Sequence, residues 1–365
     1  MIEYRCLQCK QTAPADEWLW RCAACGGPLE LSGLPGFRPA AIDGSVHSVW
    51  RYRAMLPPLD EAGVSMGEGW TPLVEATLFG RPISCKLEYI SPTGSFKDRG
   101  VAVMVAALKS CGVAEVMDDS SGNAGASLAA YAARAGLRAR ILVPAHAAPA
   151  KMRQIAVYGA HLEVVPGPRA AIAQAAAHAA TRVPYASHAH SPYNLAGLET
   201  IAWEVWEQLG HRAPATMVFP VGQGTLLLGA YLGFRRLAKA GLIERMPRLV
   251  GVQASACAPI FRAWQAGGDD VAPVKEGETV AEGVRISAPV RGRTLLAALR
   301  ETGGEAVAVS EAEINQAHDL LARRGLYVEP TSAVAAAGLG QVSQRLPEGE
   351  VVLVLTGSGL KTPVN

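Results

Sequence analysis

The feature that most constrains the fold of this 365-residue chain is an alternation that runs from about Met66 to the end of the sequence. Short apolar runs rich in β-branched residues, typical of buried strands, alternate with helical segments rich in alanine and leucine. The predicted strands are 83–87, 139–143, 216–221, 249–253 and 351–356, and the predicted helices are 97–110, 124–135, 196–209, 225–240, 311–324 and 331–340.

Strands that alternate with helices in this way predict an α/β fold with open, twisted, mostly parallel sheets and helices on both faces. Ligands bind such sheets at the carboxyl ends of the strands, in the turns that lead into helices. These turns are therefore the places where functional residues are expected.

Composition and charge restrict the class of protein. Half of the residues are hydrophobic and 18% are charged, which is typical of a globular enzyme. The net charge is only +2 and no basic stripe is present, so no nucleic-acid partner is expected. The sequence contains no uninterrupted apolar run of about 18 residues, so we expect no membrane span. The N-terminus lacks the pattern of a signal peptide, and we therefore expect a cytoplasmic protein.

Four cysteines stand together in residues 1–32, in the pattern Cys6-x-x-Cys9, twelve residues, Cys22-x-x-Cys25. Two such short knuckles can place four sulfurs at the corners of a tetrahedron, which predicts a zinc ribbon. Four thiolates leave no open coordination position, so the Zn²⁺ is expected to be structural. A pair of disulfides is the competing interpretation, which the absence of a secretion signal disfavours.

Lys97 stands in an unusual turn, Ser91-Pro92-Thr93-Gly94-Ser95-Phe96-Lys97-Asp98-Arg99-Gly100, which follows a predicted strand and opens a helix. Ser95 is the predicted N-cap of that helix. The helix dipole and burial favour the neutral form of a lysine in a first helical turn. A neutral amine is the form that attacks an aldehyde. A solvated surface lysine is the alternative interpretation, and the position of Lys97 argues against it.

Three further turns carry groups that can bind a ligand. Two of them join a strand to a helix, and the third follows the last strand. Ser120-Ser121-Gly122-Asn123-Ala124-Gly125 places N–H groups and hydroxyls at a helix start, which suits a carboxylate. The glycines in 221–229 let the backbone close on a phosphate. A dinucleotide site is disfavoured there, because the spacing is not G-x-G-x-x-G and the next strand ends in Gln253. The last strand ends in Thr356-Gly357.

These four segments resemble, in order and spacing, those of fold-type II pyridoxal-phosphate (PLP) enzymes of the tryptophan synthase β superfamily, and most of all those of threonine synthases. The resemblance covers nearly the whole chain and includes the N-terminal cysteine ribbon. It implies that Lys97 is the catalytic residue and holds PLP as an imine (a Schiff base). It also implies that Asn123 and Thr356 contact the PLP ring. The PLP phosphate would be held by Gly222, Gln223, Gly224, Thr225 and Leu226. The carboxylate of a small amino-acid substrate would be bound by Ser121, Gly122, Asn123 and Ala124.

The same resemblance predicts the domain organisation. A larger PLP-binding α/β domain would comprise 33–97 and 196–365, and a smaller mobile α/β domain would comprise 98–195, with PLP between the two. The family also implies a homodimer.

The segment expected to bind the phosphate of a threonine synthase substrate departs from the family. His188-Ala189 replaces an Asn-Ser pair, Asn194 replaces an arginine, and Leu198-Glu199 replaces Gln-Lys. The run 280–284 is closer to serine/threonine ammonia-lyases. Three functions therefore stay open: a threonine synthase, a β-eliminating or β-replacing relative such as an ammonia-lyase, and a non-catalytic protein that binds partners through its ribbon.

Overall fold

The computed structural model describes residues 2–59, 64–145, 149–167 and 169–361. In these ranges the strands are β1 (Glu3–Cys6), β2 (Thr12–Pro14), β3 (Leu29–Ser32), β4 (Leu73–Leu78), β5 (Arg81–Leu87), β6 (Glu115–Asp118), β7 (Arg138–Pro144), β8 (His161–Val165), β9 (Thr216–Pro220), β10 (Arg248–Ala254), β11 (Glu305–Val309) and β12 (Val351–Leu355). The helices are α1 (Lys97–Ser110), α2 (Asn123–Ala135), α3 (Pro149–Val157), α4 (Arg169–Ala179), α5 (Pro192–Gln208), α6 (Thr225–Lys239), α7 (Pro259–Gln265), α8 (Gly292–Glu301), α9 (Glu311–Arg323) and α10 (Pro330–Val342).

The described residues form two compact units. One comprises Met1–Trp70 and Ser91–Gly197, and the other comprises Thr71–Ile90 and Leu198–Asn365. We call them the lysine unit, because it contains Lys97, and the threonine unit, because it contains Thr356. No helix in the described part of the chain is long and apolar enough to cross a membrane.

The threonine unit is built on a six-stranded sheet in the order β11-β10-β9-β12-β5-β4. All neighbours in this sheet pair in parallel except β4, which pairs antiparallel with β5. Strand β12 is buried along its whole length, as its apolar sequence Val-Val-Leu-Val-Leu predicts for a central parallel strand. The alanine-rich helix α10 packs on β9, β10 and β12, because its small side chains permit close approach.

The lysine unit contains a smaller parallel sheet in the order β6-β7-β8. Helix α1 is buried from Asp98 to Leu108, which explains its apolar sequence on all sides. Met117, Leu142, Ile172, Ala176 and Tyr185 form an apolar cluster around the sheet, and Trp20 of the N-terminal segment packs against it.

The N-terminal segment forms a small antiparallel sheet in the order β2-β1-β3. The predicted strands and helices of the α/β part are confirmed, with ends that differ by a few residues. The structure adds β4, β8 and β11, whose apolar runs were not identified as strands, and the helices α3, α7 and α8. Strand β6 is the strand that precedes the asparagine turn, and α4 covers an alanine-rich run.

A buried polar network supports the sheet of the threonine unit. The ammonium of Lys86 on β5 forms an ion pair with Glu204 on α5 and donates hydrogen bonds to the carbonyl oxygen of Thr71, 2.5 Å away, and to Gln208 Oε1, 2.9 Å away. Both charged side chains are fully buried. The hydroxyl of Thr71 donates to Glu88 Oε1 at 2.6 Å. Each charge is thus compensated by partners that also join β5 to α5.

We predict that Glu204→Gln lowers the free energy of unfolding by about 3 kcal/mol, because it removes the carboxylate that is ion-paired with the buried Lys86 ammonium. Urea denaturation at neutral pH measures the loss. Asp270→Asn is the control, since its partner Arg293 and Asp270 itself are exposed. The control should lose about 0.5 kcal/mol or less. Equal losses in the two variants would contradict a stabilising role for the buried pair.

Candidate active site

Lys97 is the first residue of α1 and is half-buried. Its Nζ lies 4.7 Å from the centroid of the Phe96 ring. The prediction that Ser95 caps the helix is wrong. Phe96 occupies the cap position, and the buried hydroxyl of Ser95 makes no hydrogen bond within the described ranges. The chain enters α1 through a tight turn in which Gly94 has a left-handed φ of 79° and donates its N–H to the carbonyl oxygen of Ser91 at 2.7 Å, so the helix begins two residues after Ser95.

Asp98 fixes the position of this turn. Its carboxylate accepts hydrogen bonds from the backbone N–H of Thr93 at 2.7 Å and from the Thr93 hydroxyl at 2.6 Å. It also accepts one from the hydroxyl of Ser127 on α2 at 2.6 Å. All three residues are buried. Charge-assisted hydrogen bonds of this kind are strong, so the residue next to Lys97 ties the turn before α1 to helix α2.

The asparagine turn leads from β6 into α2, whose first residue is Asn123. The turn is tight, because a Cβ on Gly125 would lie 1.8 Å from the carbonyl oxygen of Ser120. Ser121, Gly122 and Asn123 are half-buried and Ala124 is buried. The first N–H groups of a helix have no partner within the helix and carry partial positive charge, so this end of α2 can bind a carboxylate.

Asp118, at the carboxyl end of β6, is an active-site candidate that the sequence analysis missed. Its side chain is 1% exposed, and its Oδ1 accepts no hydrogen bond from the residues that the structure describes. Burial raises the pKa of Asp118 well above the ordinary value, and the neighbouring Asp119 raises it further, while Lys97 acts in the opposite direction. Two consecutive acids at a strand end, Asp118-Asp119, were the signal that could have identified it.

The glycine loop of the threonine unit joins β9 to α6. Gly224 has a left-handed φ of 72° and precedes the first residue of α6, Thr225. A Cβ on Gly222 would lie 2.8 Å from the carbonyl oxygen of Gly283, so no larger residue fits this turn. Gln223 is oriented by a hydrogen bond that its Oε1 accepts from the N–H of Val290 at 3.1 Å. Leu226 follows Thr225 in the first turn of α6, and both are buried. The helix start and the glycines suit a phosphate.

Thr356 follows β12 directly and is 2% exposed. Its N–H donates to the hydroxyl of Ser332 at 2.7 Å, whereas its own hydroxyl has no hydrogen-bond partner in the part of the chain that the structure describes. A buried hydroxyl without a partner is costly. A ligand atom that hydrogen-bonds to it, such as a ring nitrogen, would remove that cost.

The predicted site residues thus fall into two sets. Lys97 and the turn 121–124 belong to the lysine unit, and the loop 222–226 and Thr356 belong to the threonine unit. The lysine unit has an amine at a helix start, which can react with an aldehyde. The threonine unit has a glycine loop at a helix start, which suits a phosphate, and a buried hydroxyl with no hydrogen-bond partner among the described residues.

Comparison with known proteins agrees with this chemistry. The family model described as "Pyridoxal-phosphate dependent enzyme" matches residues 64–357. The threonine synthase of Methanocaldococcus jannaschii is 36% identical, and the match covers 98% of this chain and 93% of that protein. This chain belongs to the threonine synthase family of pyridoxal-phosphate dependent enzymes. The threonine synthase of Methanosarcina acetivorans is 34% identical over 100% of this chain and 93% of its own length.

Solved structures of related enzymes share the fold. The crystal structure of the T.th. threonine deaminase superposes with a TM-score of 0.70 at 26% identity, over 85% of this chain and 96% of that one. Maize serine racemase superposes with a TM-score of 0.69 at 21% identity, over 87% of this chain and 94% of that one. The mixed α/β fold with mostly parallel sheets, predicted for a fold-type II enzyme, is therefore confirmed.

His188 and Asn194, where the sequence analysis expects a departure from the family, are buried in the lysine unit. Asn194 is 1% exposed, and its amide donates a hydrogen bond to the carbonyl oxygen of His188 at 2.9 Å. A Cβ added to Gly100 would lie only 2.2 Å from Oδ1 of Asn194, so the amide packs closely against this glycine. Nδ1 of His188 is 3.9 Å from Oδ2 of Asp118. Asn194 thus supports the backbone, and His188 faces a carboxylate.

We predict that Asp118→Asn makes the protein more stable than the wild type at neutral pH, and that the difference grows as pH rises above the ordinary carboxyl pKa. The pKa of Asp118 is raised in the folded state, so the folded protein binds more protons than the unfolded one. The stability of the wild type therefore falls as pH rises from the ordinary carboxyl pKa towards the raised one.

Thermal unfolding between about pH 5 and pH 8 measures this dependence. In Asp118→Asn the fall in stability with rising pH should be smaller than in the wild type. In the control Asp319→Asn, which changes an exposed residue of α9, the fall should equal that of the wild type. A variant that is less stable than the wild type across the whole range would contradict the prediction.

Proposed function

We propose that this chain is a threonine synthase, which converts O-phosphohomoserine and water to threonine and phosphate with PLP as cofactor. The observation that carries the proposal is the match to threonine synthases over 98% of the chain at 36% identity. The arrangement of Lys97, the asparagine turn and the glycine loop at the starts of α1, α2 and α6 supports it.

In this proposal the cofactor is held by Lys97, Asn123, the loop 222–226 and Thr356. When bound, PLP supplies an electron sink for the charge that develops at the α-carbon of an amino acid. The turn 121–124 binds the substrate carboxylate through N–H groups at the start of α2. The amine of Lys97 takes the proton from the α-carbon and returns a proton later in the reaction. The Thr356 hydroxyl cannot keep a ring nitrogen protonated as a carboxylate would, so it moderates the electron sink.

The segment around His188 supports a second candidate. A dianionic phosphate is best bound by a bidentate guanidinium. Here Asn194 is buried against Gly100, and His188 faces the carboxyl group of Asp118. A β-eliminating enzyme that acts on serine or threonine needs no phosphate site, and the match to a threonine deaminase structure at 26% identity is in keeping with it.

The deciding experiment is the release of phosphate and threonine from O-phospho-L-homoserine by the purified, PLP-loaded protein. We predict turnover that falls by at least about 100-fold in Lys97→Ala, because the variant lacks the proton-transferring amine. Lys109→Ala is the control, since Lys109 lies in the last turn of the same helix. Release of ammonia from serine or threonine, with no phosphate released from O-phosphohomoserine, would replace the threonine synthase assignment by the second candidate.

We also propose that Cys6, Cys9, Cys22 and Cys25 bind one structural Zn²⁺. The Sγ atoms of Cys6 and Cys25 are 3.4 Å apart, those of Cys9 and Cys22 are 3.7 Å apart, and all four lie within 4.8 Å of one another. A tetrahedron with Zn–S distances of about 2.3 Å has sulfurs about 3.8 Å apart. The separations are too long for disulfides, in which sulfurs are about 2.05 Å apart.

We predict about one zinc per chain by elemental analysis, because four thiolates within this distance complete the coordination of the ion. Cys9→Ser should lower the zinc content to less than half of that of the wild type, since three thiolates bind more weakly. Cys111→Ser, which changes a cysteine outside the cluster, should leave it unchanged. A wild-type protein without stoichiometric metal would contradict the zinc proposal.

The remaining expectations from the family are part of the same proposal. A mobile smaller domain of residues 98–195 would close over bound substrate and exclude water from the reacting groups. A homodimer is proposed from the family resemblance.

A further inference from the structure

The N-terminal ribbon contacts residues 185–193 of the lysine unit, a stretch that includes His188. The contacts come from residues between the two cysteine knuckles. Trp18 donates a hydrogen bond from Nε1 to the carbonyl oxygen of Tyr185 at 3.2 Å, and its ring stacks on Tyr193 with centroids 6.0 Å apart at 18°. The hydroxyl of Tyr193 in turn donates to the carbonyl oxygen of Ala15 at 3.3 Å. The ribbon is thus held against both ends of residues 185–193.

Trp20 contacts two aromatic rings of this segment, those of Tyr185 and His190. Its ring lies 4.9 Å from that of Tyr185 and meets His190 edge-on at 5.0 Å. The Nδ1 atom of His190 is hydrogen-bonded to the hydroxyl of Ser187 at 3.0 Å. Trp20 also packs on the apolar cluster that contains Tyr185. Aromatic pairs at these distances and angles are attractive, so Trp20 favours one orientation of both rings.

Residues 185–191, which we call the histidine segment, border the strand end that leads to the asparagine turn. Tyr185 forms a bridge with Met117, and the N–H of Ala186 donates to the carbonyl oxygen of Met117 at 2.7 Å. Nδ1 of His188 is 3.9 Å from Asp118 Oδ2. Burial raises the pKa of the Tyr185 hydroxyl, and the charges of Asp119 and Asp118 raise it further. Lys97 also acts electrostatically on Asp118.

We propose that Trp18 and Trp20 are positioning residues for the site of the substrate side chain. They hold the histidine segment against the carboxyl end of β6, so the ribbon determines affinity for the amino-acid substrate while leaving PLP binding unchanged. In the described chain between the two knuckles, β2 ends before the tryptophans, and the hydroxyl of Tyr4 donates to the carbonyl oxygen of Glu17 at 3.0 Å and accepts from the N–H of Leu19 at 3.5 Å. The metal that we propose for the four cysteines would join the two knuckles that flank this stretch and so limit its movement.

The test compares Trp20→Ala with Trp20→Leu, Trp20→Phe and the control Trp264→Ala in the PLP-loaded protein. Trp264 is a half-buried tryptophan of the threonine unit beneath Arg300. Hydrogen exchange of the peptide that covers 185–193 is the first readout. KM and kcat with O-phospho-L-homoserine, and the absorption band of bound PLP, are the others.

We expect faster exchange of this peptide in Trp20→Ala and a KM about tenfold higher, with kcat changed by less than about twofold and an unchanged PLP band. Trp20→Phe should recover most of the difference, because it retains an aromatic ring against Tyr185 and His190. Trp20→Leu keeps an apolar contact and replaces the alanine variant if that variant fails to fold. Its exchange rate and KM should lie between those of Trp20→Ala and Trp20→Phe. Removal of metal from the wild type by a chelator should reproduce the effect and add little to Trp20→Ala.

Exchange in Trp20→Ala equal to that in Trp264→Ala would overturn the proposal, whatever the activity. Faster exchange with a lower kcat and an unchanged KM would also overturn it, because the segment would then not serve substrate binding. The kinetic readout rests on the proposed function, but the exchange readout does not. Wild-type protein that fails to turn over O-phosphohomoserine would therefore count against the function alone, and the exchange result would still decide the positioning role.

Discussion

The buried carboxylate of Asp98 is the interaction on which the arrangement of the lysine unit depends. It accepts hydrogen bonds from Thr93, in the turn before α1, and from Ser127, in the second turn of α2. One side chain therefore fixes the start of the helix that carries Lys97 and the helix that begins at Asn123. Because an ionised carboxylate away from water must have its hydrogen bonds, the turn before α1 and helix α2 cannot separate without a large cost.

Burial of the helices explains why the reactive groups lie where strands end and helices begin. Helix α1 is buried from Asp98 to Leu108, so at this end of the helix the half-buried first residue, Lys97, presents its amine. The asparagine turn and the glycine loop likewise present N–H groups at helix starts, where no intrahelical partner exists. The acids at the end of β6 are different, because Asp118 is buried beside the same turn at a cost in stability. Buried groups kept at such a cost are typical of functional sites.

Much of the fold was predictable from the sequence, since the buried parallel strands and alanine-rich helices have strong and regular patterns. The positions of Lys97 and Asn123 at helix starts followed from glycine, proline and serine in the preceding turns. The cap at Ser95 was predicted wrongly, because the tight turn at Gly94 continues through Ser95 and the cap position falls on Phe96. The contact between Trp20 and His190 joins residues about 170 positions apart, and local patterns carry no information about such contacts. The burial of Asp118 depends in the same way on tertiary packing.

The central claim is that Lys97 is the residue that binds PLP, and one measurement tests it most directly. The PLP-loaded protein is reduced with borohydride, which fixes the cofactor to the amine that holds it, and its peptides are analysed by mass spectrometry. We expect the mass of the reduced cofactor on the peptide that contains Lys97, and its loss from that peptide in Lys97→Ala. Cofactor attached to another lysine, such as Lys361, or no attached cofactor at all, would contradict the account.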